Sequence, residues 1–498
     1  MAPTISRRGF VAGVSVATML ASWRAASEPP GDLTELTATQ ALEQILAGIL
    51  GAGDYMTALA ERAERLAGLN ALLASRWQEA IAEARAIDDR RAAGQDVGAL
   101  AGLPLLAADN LDSAGLPTTA GTPALADWRP EVDAAVLARA LDRAGVLVAK
   151  GNLHELGLGV TSNNRSFGAV GNPYAPDMIA GGASGGVAAA VAARMAPLGL
   201  AADGSGSSRI PAALCGCIAF RPGMDRWTPT GLVPLSSTFD SPSAVARSVA
   251  DIVLLDSVCA EVPATVETVG LAGLRLGVPR RLDAGLDLEL ATILGAALAL
   301  LQSAGAELVE IEMPDLSEAD EAVGPPILLH EALRELAAYL LMHDSRMSVL
   351  DIVTQVAGEA ERTVLTGIAG DLAVPASAYR EALLTARPRL QGLFAEAFAS
   401  KRLDAILGAT TPLPARPIGQ EAEVEINGEK LPTFAAYSRN VDPPSHAGLP
   451  ALTLPAGLTA RGLPVGLQLV GRAGADGRLL SIAAAAEAAL PPLPPPRL

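Results

Sequence analysis

Lysine is almost absent from this chain. Lys150, Lys401 and Lys430 are the only three in 498 residues, so nearly every cation is an arginine and an amine base has few sources. Histidine and cysteine are also scarce. The four histidines stand apart at 154, 330, 343 and 446, and the cysteines at 215, 217 and 259. A zinc site needs convergent ligands at a recognisable spacing, so no metal and no other cofactor is expected. An oxidising compartment would permit a disulfide, but these spacings assign none. Aromatic residues make up only 3% of the chain. Beyond the N-terminus, long hydrophobic runs are missing too. The best, 187–202, is short, rich in Gly and Ala, interrupted by Arg194 and stopped by Asp203, which excludes a membrane span there. Positive charge is in deficit, with 37 Lys and Arg against 54 Asp and Glu and a net charge of -17. Such a balance is a poor match to a phosphate backbone, so nucleic acid is excluded as a partner.

What is present is a large, alanine-rich core former. Half of the residues are hydrophobic, and the length suffices to bury a large core without staples. Residues 1–28 open with Ser6-Arg7-Arg8-Gly9-Phe10, then an apolar run and small residues near Ala25 and Ala26. This resembles a twin-arginine export signal and implies a periplasmic protein without membrane attachment after export. Residues 29–490 read as one interwoven α/β domain, and 491–498 as a Pro-rich tail. Within the domain, 33–94 and about 326–402 have helical periodicity, with a capping box expected at Thr37 and Gln40. Between and after them, helical and extended periods alternate. Strands are expected at 103–108, 146–150, 197–202, 274–279, 307–314 and 403–412, and as a pair within 449–471. That alternation predicts a large mixed sheet covered by helices on both faces.

Two Gly/Ser loops flank a small-residue helix, GGASGG at 181–186 and DGSGSSRIP at 203–211. The second can line up consecutive backbone N–H groups around a concavity, which suits an oxyanion, although a structural turn has the same composition. Asp203 and Arg209 are expected to pair and fix its ends. A serine hydroxyl is a poor nucleophile until a base takes its proton. No histidine lies near this loop in sequence, and the loop itself holds no Gly-x-Ser-x-Gly elbow.

Taken together, these segments resemble the amidase signature family, in particular bacterial arylacetamide and mandelamide amidases. The family pattern has a strand ending in Lys-Asp-Asn, a Gly-Gly-Ser-Ser-Gly-Gly loop and an Asp-x-Gly-Gly-Ser-x-Arg-x-Pro loop. These match Ala108-Asp109-Asn110, Gly181 to Gly186, and Asp203 to Pro211. The likeness runs from about Leu103 to Leu490, through SNNRSFGAVGNP (162–173) and GLPVGLQLVG (462–471). It implies an amide hydrolase with Ser207 as the nucleophile and the N–H groups of Gly204, Ser205, Gly206 and Ser207 as the oxyanion hole. It also implies that the bridging cis-serine falls on Ala183 and the general-base lysine on Ala108. Ser205 and Ser208 depart from the family as well, standing where glycine and an aliphatic residue are commoner.

The reading therefore divides. A divergent serine hydrolase of small apolar or aromatic amides or esters is one outcome, with an acyl-enzyme on Ser207. A homologue that binds a small molecule without hydrolysing it is another, and a lyase or isomerase using Asp109 as its base is a third. Asn110, His154, Ser184 and Tyr174 are further candidates for the pocket lining, and Phe167 and Trp227 for an aromatic wall. The expected partner is a small molecule, and the resemblance allows a homodimer.

Overall fold

A computed structural model describes residues 31–280, 285–343 and 345–498. The signal expected at 1–28 lies outside them. Eleven strands form one mixed sheet. In chain order they are β1 (Leu72–Ser75), β2 (Pro104–Ala108), β3 (Val146–Gly151), β4 (Leu198–Ala202), β5 (Ile218–Arg221), β6 (Pro242–Ala246), β7 (Arg275–Pro279), β8 (Glu307–Ile311), β9 (Ala405–Ala409), β10 (Ala451–Leu458) and β11 (Pro464–Val470). Their spatial order is β1-β3-β2-β4-β6-β5-β10-β11-β9-β7-β8. The mixed α/β architecture is thus the one the alternating periods predicted. Both halves of the chain supply strands, so neither could complete the sheet alone.

Most elements fall where periodicity places them, and the capping box between Thr37 and Gln40 is formed. Three strands of this sheet were not anticipated. β1 interrupts what reads as one helix over 54–94; Asn70 turns left-handed (φ 51°), and Leu72–Ser75 pairs with β3 before the helix Trp77–Ala92 starts. β5 and β6 are four- and five-residue apolar segments, too short to carry a period. The region 326–402 is helical as expected, beginning with Gly324–Met342.

The sheet fixes the site through parallel neighbours. β2 pairs in parallel with both β3 and β4, so the three strands end on the same edge and their following loops meet. Over that edge lies α1 (Gly185–Ala192), every residue of which is buried. Its Gly, Ala and Val side chains are what allow it to sit close to the strands. α2 (Arg209–Cys215) starts where the second Gly/Ser loop ends. Four further helices gather around the loop that follows β4, through the cavity lining or through His446: α3 (Leu316–Glu321), α4 (Gly324–Met342), α5 (Glu359–Ala369) and α6 (Asp442–His446).

Candidate active site

The loop after β4 is held from beneath by a buried ion cluster. Asp203 accepts both the Nε and the Nη2 of Arg209 at 2.9 Å, the backbone N–H of Gly206 at 2.7 Å and the hydroxyl of Ser208 at 3.0 Å. A second guanidinium, Arg221, lies 3.8 Å away and donates to the Asp203 carbonyl. Burial alone would raise the Asp203 carboxyl, but Arg209, its hydrogen bonds and Arg221 outweigh that and hold it below the ordinary carboxylate range. The expected Asp203–Arg209 pair is present. The same geometry corrects the reading of Gly206: its N–H is spent on Asp203, so it cannot serve an oxyanion. Among the described residues, the N–H groups of Gly204, Ser205 and Ser207 have no acceptor.

Ser207 meets the first Gly/Ser loop directly. Its carbonyl accepts the N–H of Ser184 at 2.9 Å, which sets the 181–186 loop against the 203–211 loop. The Gly182–Ala183 peptide is cis, and the Ala183 carbonyl takes the N–H of His154 and the hydroxyl of Ser162, both at 2.9 Å. The Ser184 hydroxyl turns back to the Ala202 carbonyl at 3.4 Å. It therefore does not supply the bridging hydroxyl that the resemblance places at position 183.

Between these loops lies a cavity of about 250 Å³. Asn110, Ala183, Ser184, Gly204, Ser205 and Ser207 form its polar end. The apolar wall comes from Leu156, Val160, Leu232, Leu235, Phe239 and Phe434. Asn110 Oδ1 is buried there without a hydrogen-bond partner among the described residues. Asp240 closes one side and was missed in the sequence. Its Oδ2 accepts the N–H groups of Leu235 and Ser236, and burial, resisted by those N–H groups, pushes its carboxyl up to about 6. A Cβ at position 204 would come 2.6 Å from Asp240 Oδ1, so a larger residue there would have to displace that carboxyl.

Several expected lining residues stand elsewhere. Asp109 is buried against Thr119, 3.5 Å from Lys150, and does not line the cavity; burial raises its carboxyl although Lys150 opposes this. His154 gives its Nε2 to Glu361 of α5 at 2.7 Å, tying the helical region to the sheet edge. Tyr174 donates to the Pro494 carbonyl at 2.9 Å and so pins the C-terminal tail. Trp227 is buried against Asp256, and Phe167 is likewise outside the lining.

Ala108 ends β2, fully buried. Lys150 cannot stand in for an amine there. It is paired in register with Ala107, so it shares Ala107's face of the sheet while Ala108 points to the other. Its ammonium group is bound by the Leu111 carbonyl at 2.6 Å and the Thr118 hydroxyl at 2.9 Å. Burial, against the pull of Asp109, lowers its proton affinity.

A strand-edge cleft with two facing Gly/Ser loops and a covering helical region is the architecture of an amidase-type protein. Residues 54–480 match the sequence profile of the Amidase family, and the chain belongs to that family. It is 39% identical over 452 residues to the indoleacetamide hydrolase of Rhizobium radiobacter, covering 91% of this chain and 96% of the relative. It is 35% identical to the mandelamide hydrolase of Pseudomonas putida, covering 91% of each. Among solved structures, an amidase superposes with a TM-score of 0.83 at 32% identity, over 92% of this chain and all of that one. The native peptide amidase of Stenotrophomonas maltophilia gives 0.80 at 28% identity, over 94% and 99%.

Proposed function

We propose that the chain hydrolyses linear amides with a small apolar or aromatic acyl group, through an acyl-enzyme on a serine of the 203–211 loop. One observation carries this reading: a serine-bearing loop with unpaired N–H groups faces an apolar wall inside a single small cavity. Preorganised N–H groups stabilise the oxyanion of a tetrahedral intermediate without reorganising as its charge develops. The unpaired Asn110 Oδ1 is placed to accept a substrate N–H, and the leucines and Phe239 and Phe434 suit an aryl group. At about 250 Å³ the space favours a compact substrate. The names of the indoleacetamide and mandelamide hydrolases agree with that class.

On the resemblance, Ser207 takes the nucleophile position, and Ala108 and Ala183 lack the amine and hydroxyl through which its proton would leave. Among the described residues no base is hydrogen-bonded to the Ser207 hydroxyl. Loss of general-base assistance costs roughly 10²–10⁴ in rate, which also favours a second reading, ligand binding without turnover. The test is incubation of the mature protein with aryl acetamides and the matching esters under mass detection, together with fluorophosphonate labelling and peptide mapping. Carboxylic acid product and a stoichiometric serine adduct are expected. Saturable binding with neither would establish the second reading. Export to the periplasm through residues 1–28 belongs to the same proposal, and Arg7→Lys with Arg8→Lys should leave the protein in the cytoplasm.

A further inference from the structure

The serine loop carries a second hydroxyl with a base already in place. Ser205, which lines the cavity, lies with its Oγ 3.2 Å from Nε2 of His446. Nδ1 of the same ring is 2.7 Å from Oδ1 of Asp320. The imidazole is buried behind the serine loop, with Phe239 packed on it at a centroid distance of 4.4 Å. Three segments separated by up to 241 residues thus assemble a hydroxyl, an imidazole and a carboxylate in line. These are the roles of nucleophile, general base and orienting acid that define a serine triad by geometry and not by sequence order.

The surroundings are shaped for this ring. Gly324, first residue of α4, faces it so closely that a Cβ would lie 2.4 Å from His446 Cε1. Arg387 donates to the His446 main-chain carbonyl at 2.9 Å and fixes the end of α6. The charged groups facing the ring are Asp320 from α3 and Asp442 from its own helix. Burial, against the attraction of His446, pushes Asp442 up to about 6.

We propose that Ser205 is the nucleophile activated in this cavity, with His446 as its general base and Asp320 as the positioning residue. The proposal rests on the hydrolytic reading of the cavity and names the proton path that reading lacks. In the step, the Ser205 proton passes to His446 Nε2 as Oγ bonds to the substrate carbonyl carbon. The carbonyl oxygen takes the negative charge within reach of the unpaired loop N–H groups. The imidazolium then gives its proton to the leaving amine as the C–N bond breaks. Water, deprotonated by the same imidazole, releases the acid and restores Ser205.

The experiment maps a fluorophosphonate adduct on the purified mature protein and follows labelling and aryl-amide turnover in Ser205→Ala, His446→Gln, Asp320→Asn and Gly324→Ala, with melting curves as folding controls. The adduct is expected on Ser205. His446→Gln should slow labelling and kcat roughly 10²–10⁴-fold and abolish the acidic fall of the pH–rate profile, with KM little changed. Asp320→Asn and Gly324→Ala leave Ser205 and His446 in the chain but misplace the ring, and should slow both reactions. Should His446→Gln not fold, these two carry the test. An adduct on Ser207 overturns the proposal and leaves the hydrolase reading standing. So do unchanged rates and pH profile in folded His446, Asp320 and Gly324 variants. A wild-type protein that neither labels nor turns over overturns both.

Discussion

Replacing Asp203 by asparagine removes one charge from the most heavily bonded side chain beneath the site. Asp203, Arg209 and Arg221 are each fully buried, and the carboxylate receives two guanidinium N–H groups, a backbone N–H and a hydroxyl at 2.7 to 3.0 Å. Asparagine keeps the shape but turns an NH₂ toward at least one of those donors and leaves two buried guanidinium groups without their ion-pair partner. Breaking a buried pair by removing one partner costs about 3–5 kcal/mol. An unfolding entropy of ~2.1 cal/mol/K per residue gives ~1 kcal/mol/K for 498 residues, so the apparent melting temperature should drop by about 3–5 °C. The pH dependence has a definite sign. The carboxyl is held below its ordinary value when folded, so its stabilisation is complete above about pH 4 and is lost as pH falls further. The deficit of Asp203→Asn, read by differential scanning fluorimetry, should be constant from pH 5 to 8 and shrink below pH 4. An unchanged melting temperature at neutral pH would refute the argument that this cluster holds the loop.

Lys150→Met leaves the buried Asp109 carboxyl without its cation and should lower the melting temperature by a similar amount, about 3–5 °C; loss of labelling with wild-type melting would instead make the lysine a base. Glu487 accepts the Val249 N–H with both oxygens, and its carboxyl is pushed up from 4.5 to about 7, chiefly by burial. The folded chain then keeps a proton the unfolded chain releases, and wild-type stability falls by roughly 3 kcal/mol between those pH values. Glu487→Gln should flatten that fall and melt above wild type at pH 8, and parallel curves for the two proteins would contradict it. Phe434 lines the cavity while 45% exposed, so Phe434→Ala should raise KM for aryl amides about fivefold, the effect of ~1 kcal/mol of lost apolar contact, with kcat little changed. Steady-state kinetics that show the reverse split would remove Phe434 from the binding wall.

How much of this was legible in the sequence depended on range. β2, β3, β4 and the β10–β11 pair could be read because each apolar run is bounded by turn residues, and the two Gly/Ser loops announced themselves by composition. β1 was hidden because LLAS is four residues set between two helical patterns, and only pairing with β3 makes it a strand. The expected oxyanion donors include Gly206, whose N–H is taken, since nothing in DGSGSSRIP says that Asp203 folds back onto it. Asp109, His154 and Tyr174 were reasonable polar candidates, yet each is directed by a partner far along the chain or on the opposite face. Asp240 and Phe434 gave no local signal at all.

The serine at 205 is the informative exception. A glycine is the commoner residue there on the family resemblance, and a side chain lining the cavity at this point has to find room and a partner. The structure supplies both from outside the loop: His446 from α6 accepts or donates at Nε2, Asp320 from α3 holds its other nitrogen, and Gly324 leaves space for the ring. None of these positions implies the others in sequence, because they are brought together only when α3, α4 and α6 close over the sheet edge. The proposed triad runs its proton path along the helical side of the cavity, through His446 and Asp320, whereas the family resemblance would run it along the strand side, through positions 108 and 183.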